Sequence, residues 1–366
     1  MTKLLYIAPR DFPRRVANRV QTIKMAEAFA KHAEVTLMVS KLHTSIEELW
    51  EYYDVKTPFK IKVIGEPFIG PQSAYSLIPS LIEILRLKPD ILYFREELIG
   101  WMISWFKRDY IYEMLDLIPR YQRYYPRLVR KSKRTITISE GLKHTAVNAG
   151  LDSSKIEIRP DAVDLDAFGI NTTKQEARSF LGLDKNTKLV IYSGRFSSWK
   201  GTDTLIQSAL YLPKDVKILL VGGFEGEPEK MKRIISHSGV SEKVSVIEFQ
   251  PHSLIPQYLK AADVLVIPNN AEHQLSVMHT SPLKLFEYMA SKRPIVASNL
   301  PSIREILDDS SATFVEPGNP QDLAAGIMHA IESKEIKTKI DCAYKIATNN
   351  TWEERARMII ESALKH

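Results

Sequence analysis

The sequence predicts an α/β fold of two domains, each built on a parallel sheet with helices on both faces. Three observations support this prediction. The chain has 366 residues, which at ~150 residues per domain indicates two domains rather than one. It is 44% hydrophobic and 26% charged, an ordinary composition for a globular protein. Short apolar runs alternate with helical stretches in both halves, and that alternation is typical of parallel sheets.

In the first half, the apolar run Lys3–Ala8 is followed by Pro9 and predicts a strand buried on both faces. Asn18–His32 has apolar residues at helical spacing, with Asn18 as the expected N-cap. The alternation then continues along the chain. Strands are predicted at Glu34–Val39, Lys60–Ile64, Ile91–Phe94, Tyr110–Glu113 and Thr135–Ser139, and helices at Ser76–Arg86, Glu97–Phe106 and Gly141–Asn148.

After Asp164 the pattern loosens and then restarts. Strands are predicted at Lys188–Ser193, Val216–Val221, Val244–Phe249, Val264–Pro268, Pro294–Ser298 and Ala312–Val315, and helices at Thr202–Tyr211, Ile255–Ala261, Leu283–Ala290 and Trp352–Leu364. We expect an N-terminal domain of residues 1–165, a C-terminal domain of residues 166–348, and a terminal helix within residues 349–366 that packs back towards the first domain. Two such domains would form a cleft, with ligands beyond the carboxyl ends of the strands.

Composition excludes several classes of protein. A single cysteine, Cys342, excludes a disulfide framework and any cysteine-based metal cluster, and it fits a reducing compartment. The longest nearly apolar run, Leu98–Phe106, covers nine residues, whereas a membrane-spanning helix needs ~20. The N-terminus becomes charged before a signal-peptide core could form. We therefore expect a cytoplasmic protein.

The net charge of +6 lies entirely in the first half, where Met1–Asp164 holds 26 Lys and Arg against 20 Asp and Glu. Arg120–Arg134 alone holds seven basic residues and no acidic one. This tract fits a solvated helix face, a nucleic-acid track or an anionic membrane surface. We favour peripheral contact with the inner membrane surface and predict no nucleic-acid partner. Trp101, Trp105 and Phe106 could assist, although core packing explains them better.

The loop after the strand Lys188–Ser193 has anion-binding chemistry. Gly194, Arg195 and Lys200 stand between a strand and a helix whose N-terminus carries partial positive charge. Arginine offers a planar fork to phosphate oxygens and lysine a point charge, although both could simply be solvated. The loop is not a P-loop, because Trp199 stands where a glycine is needed. The dinucleotide-binding motif G-x-G-x-x-G is absent after the first strand of each half, so the main sequence signal of a hydride-transfer enzyme is missing.

A second loop leads into the predicted helix Leu283–Ala290, which carries Glu287 in its second turn. The carboxylate of Glu287 could complement the helix dipole or accept hydrogen bonds from two ribose hydroxyls. Backbone N–H groups of Ser281 and Leu283 could hold phosphate, whereas Pro282 has no N–H to offer. Both interpretations of Glu287 stay open on these residues alone.

These segments resemble the retaining nucleotide-sugar glycosyltransferases of family 4. The likeness covers nearly the whole chain and is stronger in the second half than in the first. It rests on Ser193-Gly-Arg-Phe with Lys200-Gly, on Glu287-Tyr-Met-Ala, and on Val163-Asp164, Leu219–Gly223, Ala262–Pro268 and Trp352-Glu-Glu in the expected order. The resemblance implies the GT-B fold, in which two Rossmann-like domains face each other across a cleft.

By this resemblance, Arg195 and Lys200 are the catalytic residues and bind the donor diphosphate, while Glu287 binds the ribose. Gly194, Ser281 and Leu283 then belong to the donor-binding loops. The implied reaction is retaining and metal-independent, and it moves a sugar from a UDP- or GDP-type nucleotide sugar to a glycan or lipid-linked acceptor. No cofactor and no catalytic base are expected, because the donor phosphate itself receives the acceptor's proton.

Two positions depart from the family pattern. His279 stands at the first position of the E-x7-E motif, where a glutamate helps orient the transferred sugar, and it is still expected to contact the donor. Leu115 stands at the histidine position of the E-x-H-D segment. These departures leave two alternatives open: a nucleotide-sugar epimerase of the same fold, or a non-catalytic sugar-nucleotide-binding subunit. Asp164-Leu-Asp166 formally matches a D-x-D metal motif but lies in the junction, so we predict no bound metal.

Overall fold

The structure is a computed structural model that describes residues 1–14, 16–65 and 75–365. The chain divides into two compact units, Met1–Pro160 with Trp352–His366 and Asp161–Thr351. The divisions therefore fall earlier than residue 165 and later than residue 348. The segment after Pro160 belongs to the second unit because Val163 forms a parallel bridge with Thr351 and its N–H donates to the Asn350 carbonyl at 3.0 Å.

The first unit is built on a seven-stranded parallel sheet. Its strands are β1 (Lys3–Ile7), β3 (Glu34–Val39), β5 (Lys60–Val63), β6 (Ile91–Phe94), β7 (Tyr110–Met114), β8 (Ser132–Thr137) and β9 (Ile156–Ile158), while β2 (Asp11–Phe12) and β4 (Lys41–Leu42) pair separately. The strand order is β5-β3-β1-β6-β7-β8-β9, with every neighbour parallel. All residues of β6 and β7 are buried, as expected for strands covered on both faces.

Six described helices lie between these strands: α1 (Ala17–Ala30), α2 (Ile46–Tyr53), α3 (Leu77–Leu87), α4 (Glu97–Ile103), α5 (Tyr125–Lys131) and α6 (Glu140–Asn148). The predicted cap of α1 is wrong. The helix begins at Ala17 after Val16, with no side-chain cap, and Asn18 accepts a hydrogen bond from the Arg19 guanidinium instead. The sequence analysis also missed α2, although Ser45 and Glu48 form a capping box at its start.

The second unit is built on a six-stranded parallel sheet. Its strands are β10 (Lys188–Gly194), β11 (Val216–Gly222), β12 (Val244–Ile247), β13 (Val264–Ile267), β14 (Ile295–Ser298) and β15 (Thr313–Val315). The strand order is β12-β11-β10-β13-β14-β15. The order reverses direction between β10 and β13. In open parallel sheets, ligands bind beyond the carboxyl ends of the strands at such a switch point.

Helices cover both faces of this second sheet: α7 (Leu165–Phe168), α8 (Lys174–Leu181), α9 (Thr202–Ser208), α10 (Glu227–His237), α11 (Ile255–Ala261), α12 (Leu283–Ala290), α13 (Pro301–Arg304), α14 (Pro320–Glu332) and α15 (Ile336–Thr348). Successive residues of β10 enter opposite apolar clusters. Ile191 joins one cluster, and Val190 and Tyr192 join the other. This alternation follows from the two-residue period of a strand, and it anchors β10 between two cores.

The terminal helix α16 (Trp352–Leu364) belongs to the first unit, as predicted, and packs on α1. Arg355 of this helix donates from Nη2 to Oε1 of Glu113 at 2.6 Å, and Nε of Arg95 lies 3.2 Å from the other oxygen. Glu113 is fully buried. Burial raises the pKa of Glu113, but the charges of Arg95 and Arg355 outweigh it and lower that pKa to about 2. The carboxylate therefore fixes α16 to β7.

Candidate functional site

The loop after β10 lies against the end of β13, at the switch point of the second sheet. Gly201 has a φ of 69°, and a Cβ at this position would lie 1.8 Å from the carbonyl oxygen of Pro268. Only glycine permits this approach, because it tolerates positive φ and has no side chain. The N–H of Asn270 donates to the Trp199 carbonyl at 3.1 Å. These contacts fix the loop that carries Lys200.

Arg195 is oriented by Glu227, a carboxylate that the sequence analysis did not identify. Nη2 of Arg195 donates to Oε1 of Glu227 at 2.7 Å. The other oxygen accepts from the backbone N–H of Phe196 at 3.0 Å and of Phe224 at 2.8 Å. Burial raises the pKa of Glu227, but these hydrogen bonds, led by that of Arg195, keep it below its ordinary value. The Arg195 side chain is 51% exposed, so its guanidinium is oriented and still accessible.

Lys200 is a half-buried cation at the end of the same loop. Its Nζ lies 3.5 Å from the centre of the Trp199 ring, a cation–π contact. Burial lowers the pKa of Lys200 to about 7, with a further contribution from the charge of Arg195. Within the described residues, no carboxylate forms an ion pair with Lys200. The loop therefore holds an ammonium that an anion would stabilise.

Helix α12 brings a further cation, Lys284, that the sequence analysis also missed. Lys284 is 9% exposed, and its Nζ lies 3.6 Å from the centre of the Tyr192 ring. Gly194, at a φ of 131°, makes room for it, because a Cβ there would lie 3.1 Å from Nζ. Burial and the charge of Lys200 lower the pKa of Lys284 well below its ordinary value, while Glu287 opposes this.

Glu287 lies in the second turn of α12, as predicted, and it has a partner. Oε1 of Glu287 lies 3.0 Å from Nε2 of His252, which precedes α11. The His252 ring in turn packs edge-on against Phe168, with the ring centres 5.3 Å apart. His252 was not singled out by the sequence analysis. His252 does pack, but it also orients the carboxylate expected to bind ribose.

The segment before α12 differs from the loop that the sequence predicted. His279 is buried and ends a π-helical turn, Leu275–His279. The hydroxyl oxygen of Ser281 accepts a hydrogen bond from the N–H of Asp161 at 2.9 Å, so this side chain holds the start of the second unit in place. Helix α12 begins at Leu283, with no side-chain cap from Pro282. Its first turn therefore carries backbone N–H groups that no side chain at the N-cap satisfies.

Asp164 and Leu115, which the sequence analysis also singled out, make contacts that support the fold. Asp164 caps α7, because its Oδ1 accepts from the N–H groups of Asp166 and Ala167, both at 3.1 Å. Leu115 packs partly buried against the core of the first unit. In the part of the chain that the structure describes, no three His, Cys, Asp or Glu residues are grouped to hold a metal ion. That a metal is not needed stays a prediction.

The basic tract forms helix α5 and its flanks. Arg127 lies over the Trp105 ring, 3.5 Å from its centre, and donates from Nε to the Ser104 hydroxyl at 2.9 Å. Trp105 and Phe106 are 59% and 68% exposed. Core packing is therefore the wrong explanation for these two side chains, which follow the end of α4 on the surface. Across the residues described, no helix has the length and apolar character required to cross a bilayer.

Comparison with known proteins finds a family match within the second unit. Residues 173–346 match the family described as Glycosyl transferases group 1. The D-inositol 3-phosphate glycosyltransferase of Xylanimonas cellulosilytica is 26% identical over 222 residues, which cover 58% of this chain and 52% of that protein. The chain thus spans about half the length of the curated relatives it matches.

Solved structures extend the likeness to both units. Anabaena HepE, crystallised with UDP and glucose, has a TM-score of 0.80 at 19% identity and covers 99% of both chains. WaaG, a glycosyltransferase involved in lipopolysaccharide biosynthesis, has a TM-score of 0.73 at 14% identity, covering 99% of this chain and 100% of its own. The fold is the two-domain α/β fold GT-B, as predicted. Residues 173–346 of the second unit match the family described as Glycosyl transferases group 1, and that match covers just under half of the chain.

Proposed function

We propose that this protein is a retaining, metal-independent glycosyltransferase that moves a sugar from a nucleotide-diphosphate sugar to a glycan or lipid-linked acceptor. The observation that carries the proposal is the group of cations at the switch point of the second sheet. Arg195, Lys200 and Lys284 converge there, and only Arg195 is paired with a carboxylate among the described residues. A diphosphate of the UDP or GDP type supplies the missing negative charge, and the relative HepE was crystallised with UDP.

In this proposal, the site stabilises the leaving diphosphate. The guanidinium of Arg195 presents its fork to phosphate oxygens while Glu227 holds its orientation. Lys200 adds a point charge, and the N–H groups at the start of α12 add aligned donors. Preorganised donors aimed at developing charge contribute ~2.7–4 kcal/mol each to lowering a barrier. Such stabilisation does not require a metal ion.

The ribose is assigned to Glu287, whose carboxylate is oriented by His252. Two carboxylate oxygens can accept from two adjacent hydroxyls, and His252 occupies only one side of the group. The transfer itself breaks the bond between the sugar's anomeric carbon and the phosphate oxygen. The acceptor oxygen forms the new bond on the same face, and its proton passes to the departing phosphate. His279, at the first position of the family's E-x7-E pattern, is assigned to the transferred sugar.

The test is a transfer assay on single variants. A thermal-shift screen with UDP-, GDP-, dTDP- and ADP-sugars first identifies the donor, since a ligand that binds the native state raises its melting temperature. Arg195→Ala and Lys200→Ala should each reduce transfer by ~100-fold or more. Lys230→Ala, which removes an exposed cation on α10, is the matched control and should retain activity. Near-normal turnover in both site variants would rule out this site.

The same assay separates the two alternatives. A glycoside as product supports the proposal, an epimerised nucleotide sugar supports the epimerase, and nucleotide-sugar binding without turnover supports a non-catalytic subunit. Leu115 and His279, which stand where the family has histidine and glutamate, are the residues that keep the last alternative in view. Product analysis by mass spectrometry after incubation with the identified donor decides among them.

We further propose that the first unit touches an anionic membrane surface, in line with the basic tract Arg120–Arg134. Slight burial and the charges of Arg108, Arg127 and Arg130 lower the pKa of Lys131, which shows that these cations crowd one another. An exposed apolar surface adjoins them: Ile78, Ile82 and Leu85 of α3, with Trp105 and Phe106. Leu85 and Phe106 line one groove, and Arg127 stacks on Trp105. Clustered cations beside exposed apolar side chains suit anionic headgroups and the acyl boundary.

Vesicle co-sedimentation tests this contact. We expect binding to vesicles that contain phosphatidylglycerol, weaker binding to pure phosphatidylcholine, and release by high salt. The double variant Trp105→Ser with Phe106→Ser should lose binding. Tyr211→Ser, which changes an aromatic of the second unit that is 52% exposed, should not. Binding that is independent of anionic lipid and of salt would contradict the proposal.

A further inference from the structure

The ammonium of Lys284 is an unpartnered charge inside the second unit. The residue is 9% exposed, and no hydrogen-bond partner lies within reach of its Nζ among the described residues. Its surroundings are the face of Tyr192, the space left by Gly194, and the charges of Lys200 and Glu287. Burying a cation without a partner is costly.

Arg178 shows how the same unit buries a cation for structural reasons. Its side chain is 1% exposed, and Nη2 donates to Oδ2 of Asp263 at 2.6 Å. Its remaining donors reach the backbone carbonyls of Ala261, Asp184, Lys185 and Thr187. A buried cation that serves the fold is therefore fully compensated here. Lys284 is not, although it too lies on a helix of this unit.

A second orphaned group lies at the same switch point. Asn269 follows β13, next to the Pro268 carbonyl that Gly201 approaches. It is 0% exposed, and neither atom of its side-chain amide has a hydrogen-bond partner in the described part of the chain. Buried polar groups are otherwise almost always paired. Two orphaned groups beyond the ends of β10 and β13 indicate a ligand that completes them.

We propose that Lys284 is an additional binding residue for the donor diphosphate, whose phosphate oxygens its ammonium contacts through the space beside Gly194. The inference rests on the proposed function and deepens it, because it adds a cation to Arg195 and Lys200. Gly194 then has a defined role: the missing side chain leaves the approach to Nζ open.

Binding of the diphosphate is accompanied by proton uptake. The charged or titratable groups that face Lys284 are Lys200 from the β10 loop, Tyr192 from β10, and Glu287 from α12, which itself pairs with His252. Burial lowers the pKa of both lysines in the free protein, with a further contribution from the charge of Arg195 to Lys200 and from the charge of Lys200 to Lys284. A polyanion between them favours the charged forms, so the lysines take up protons as it binds.

The experiment compares the wild type with Lys284→Met, which keeps an unbranched side chain one atom shorter and removes the ammonium. Calorimetry with UDP, GDP, dTDP and ADP, in two buffers of different ionisation enthalpy, measures affinity and proton uptake together. For the diphosphate that the wild type binds most tightly, the variant should lose at least ~10-fold in affinity and part of the proton uptake. Without nucleotide, the variant should melt at the wild-type temperature or above, because a buried amine without a hydrogen-bond partner is gone.

Lys260→Met is the matched control. Lys260 is also buried, but its carbonyl contacts Arg293 just before β14 begins, at the opposite edge of the sheet. Its nucleotide affinity should equal that of the wild type. Unchanged affinity in Lys284→Met overturns the inference and leaves the proposed function standing, whereas failure of all four diphosphates to bind the wild type overturns both. A nucleotide-free Lys284→Met protein that melts below the wild type makes Lys284 structural and also overturns the inference.

Discussion

The core of the first unit and the switch point of the second sheet bury charge in opposite ways. In the first unit, Glu113 is enclosed by Arg95 and Arg355, and the carboxylate meets two cations. In the second unit, Lys200 and Lys284 repel each other. Breaking a compensated buried pair destabilises a fold, whereas an uncompensated cation already costs stability. The comparison therefore separates charges that the fold itself compensates from charges that no carboxylate of the described residues pairs with.

The largest expected effect is on the first unit. Glu113→Gln removes the carboxylate and leaves Arg95 and Arg355 buried without it, which should lower the free energy of unfolding by ~3–5 kcal/mol. Urea unfolding followed by tryptophan fluorescence measures the loss. Glu353→Gln on α16, the helix that carries Arg355, breaks an exposed ion pair with Lys31 and should cost ~0–1 kcal/mol. Equal effects of the two variants would show that Glu113 is not a structural charge.

The structural role of the Glu113 charge also predicts how stability depends on acid pH. The pKa of Glu113 is lowered from 4.5 to about 2 by the two arginines against the effect of burial. A lowered carboxyl pKa contributes stability that is present above pH 4.5 and is lost as the pH falls towards 2. The wild type should therefore lose more stability across this window than Glu113→Gln does. If the free energy of unfolding, measured with urea, falls in parallel for the two proteins, Glu113 is not the group whose protonation causes the loss.

In the second unit, raising the pH should lower the transfer activity. Because the pKa of Lys200 is lowered from 10.5 to about 7 by burial and Arg195, its charge is lost as the pH rises past 7. The kcat/KM for the donor reports groups of the free enzyme. It should fall above pH 7 by up to ~10-fold per unit, as expected for one required proton. Lys200→Arg keeps its charge and should flatten this limb. A wild-type kcat/KM that stays constant from pH 6 to 9 would contradict a requirement for charged Lys200.

A smaller effect is expected where a charge is already paired. Glu227→Gln keeps the shape of the side chain but weakens its hold on Arg195, and we expect kcat/KM to fall ~3- to 10-fold, the equivalent of one ordinary hydrogen bond. Glu225→Gln, two residues earlier and exposed, is the control and should leave kcat/KM unchanged. If the two variants behave alike, Glu227 does not orient the arginine.

Much of the fold could be predicted because the strands are buried on both faces. Glu34–Val39, Ile91–Phe94, Ile255–Ala261 and Leu283–Ala290 have the predicted bounds. Buried parallel strands appear in a sequence as short apolar runs, so periodicity finds them. Helices such as α8 and α14 were missed, although Thr173 forms a capping box and Asn319 caps α14 ahead of Pro320. The signals of these two helices are local capping residues, which apolar spacing does not register.

The sequence by itself indicated which segments carry the candidate site. Gly194 ends β10, Arg195 and Lys200 follow it, and Glu287 lies on the helix after β13. The segments that follow the strands of one parallel sheet emerge at a common edge. Tertiary structure alone decided their partners. Glu227 lies 32 residues from Arg195, and His252 lies 35 residues from Glu287. Lys284 and Lys200 meet because β10 pairs with β13, a strand that is not its neighbour in sequence. Burial and pairing depend on that arrangement in space, which residue spacing does not encode.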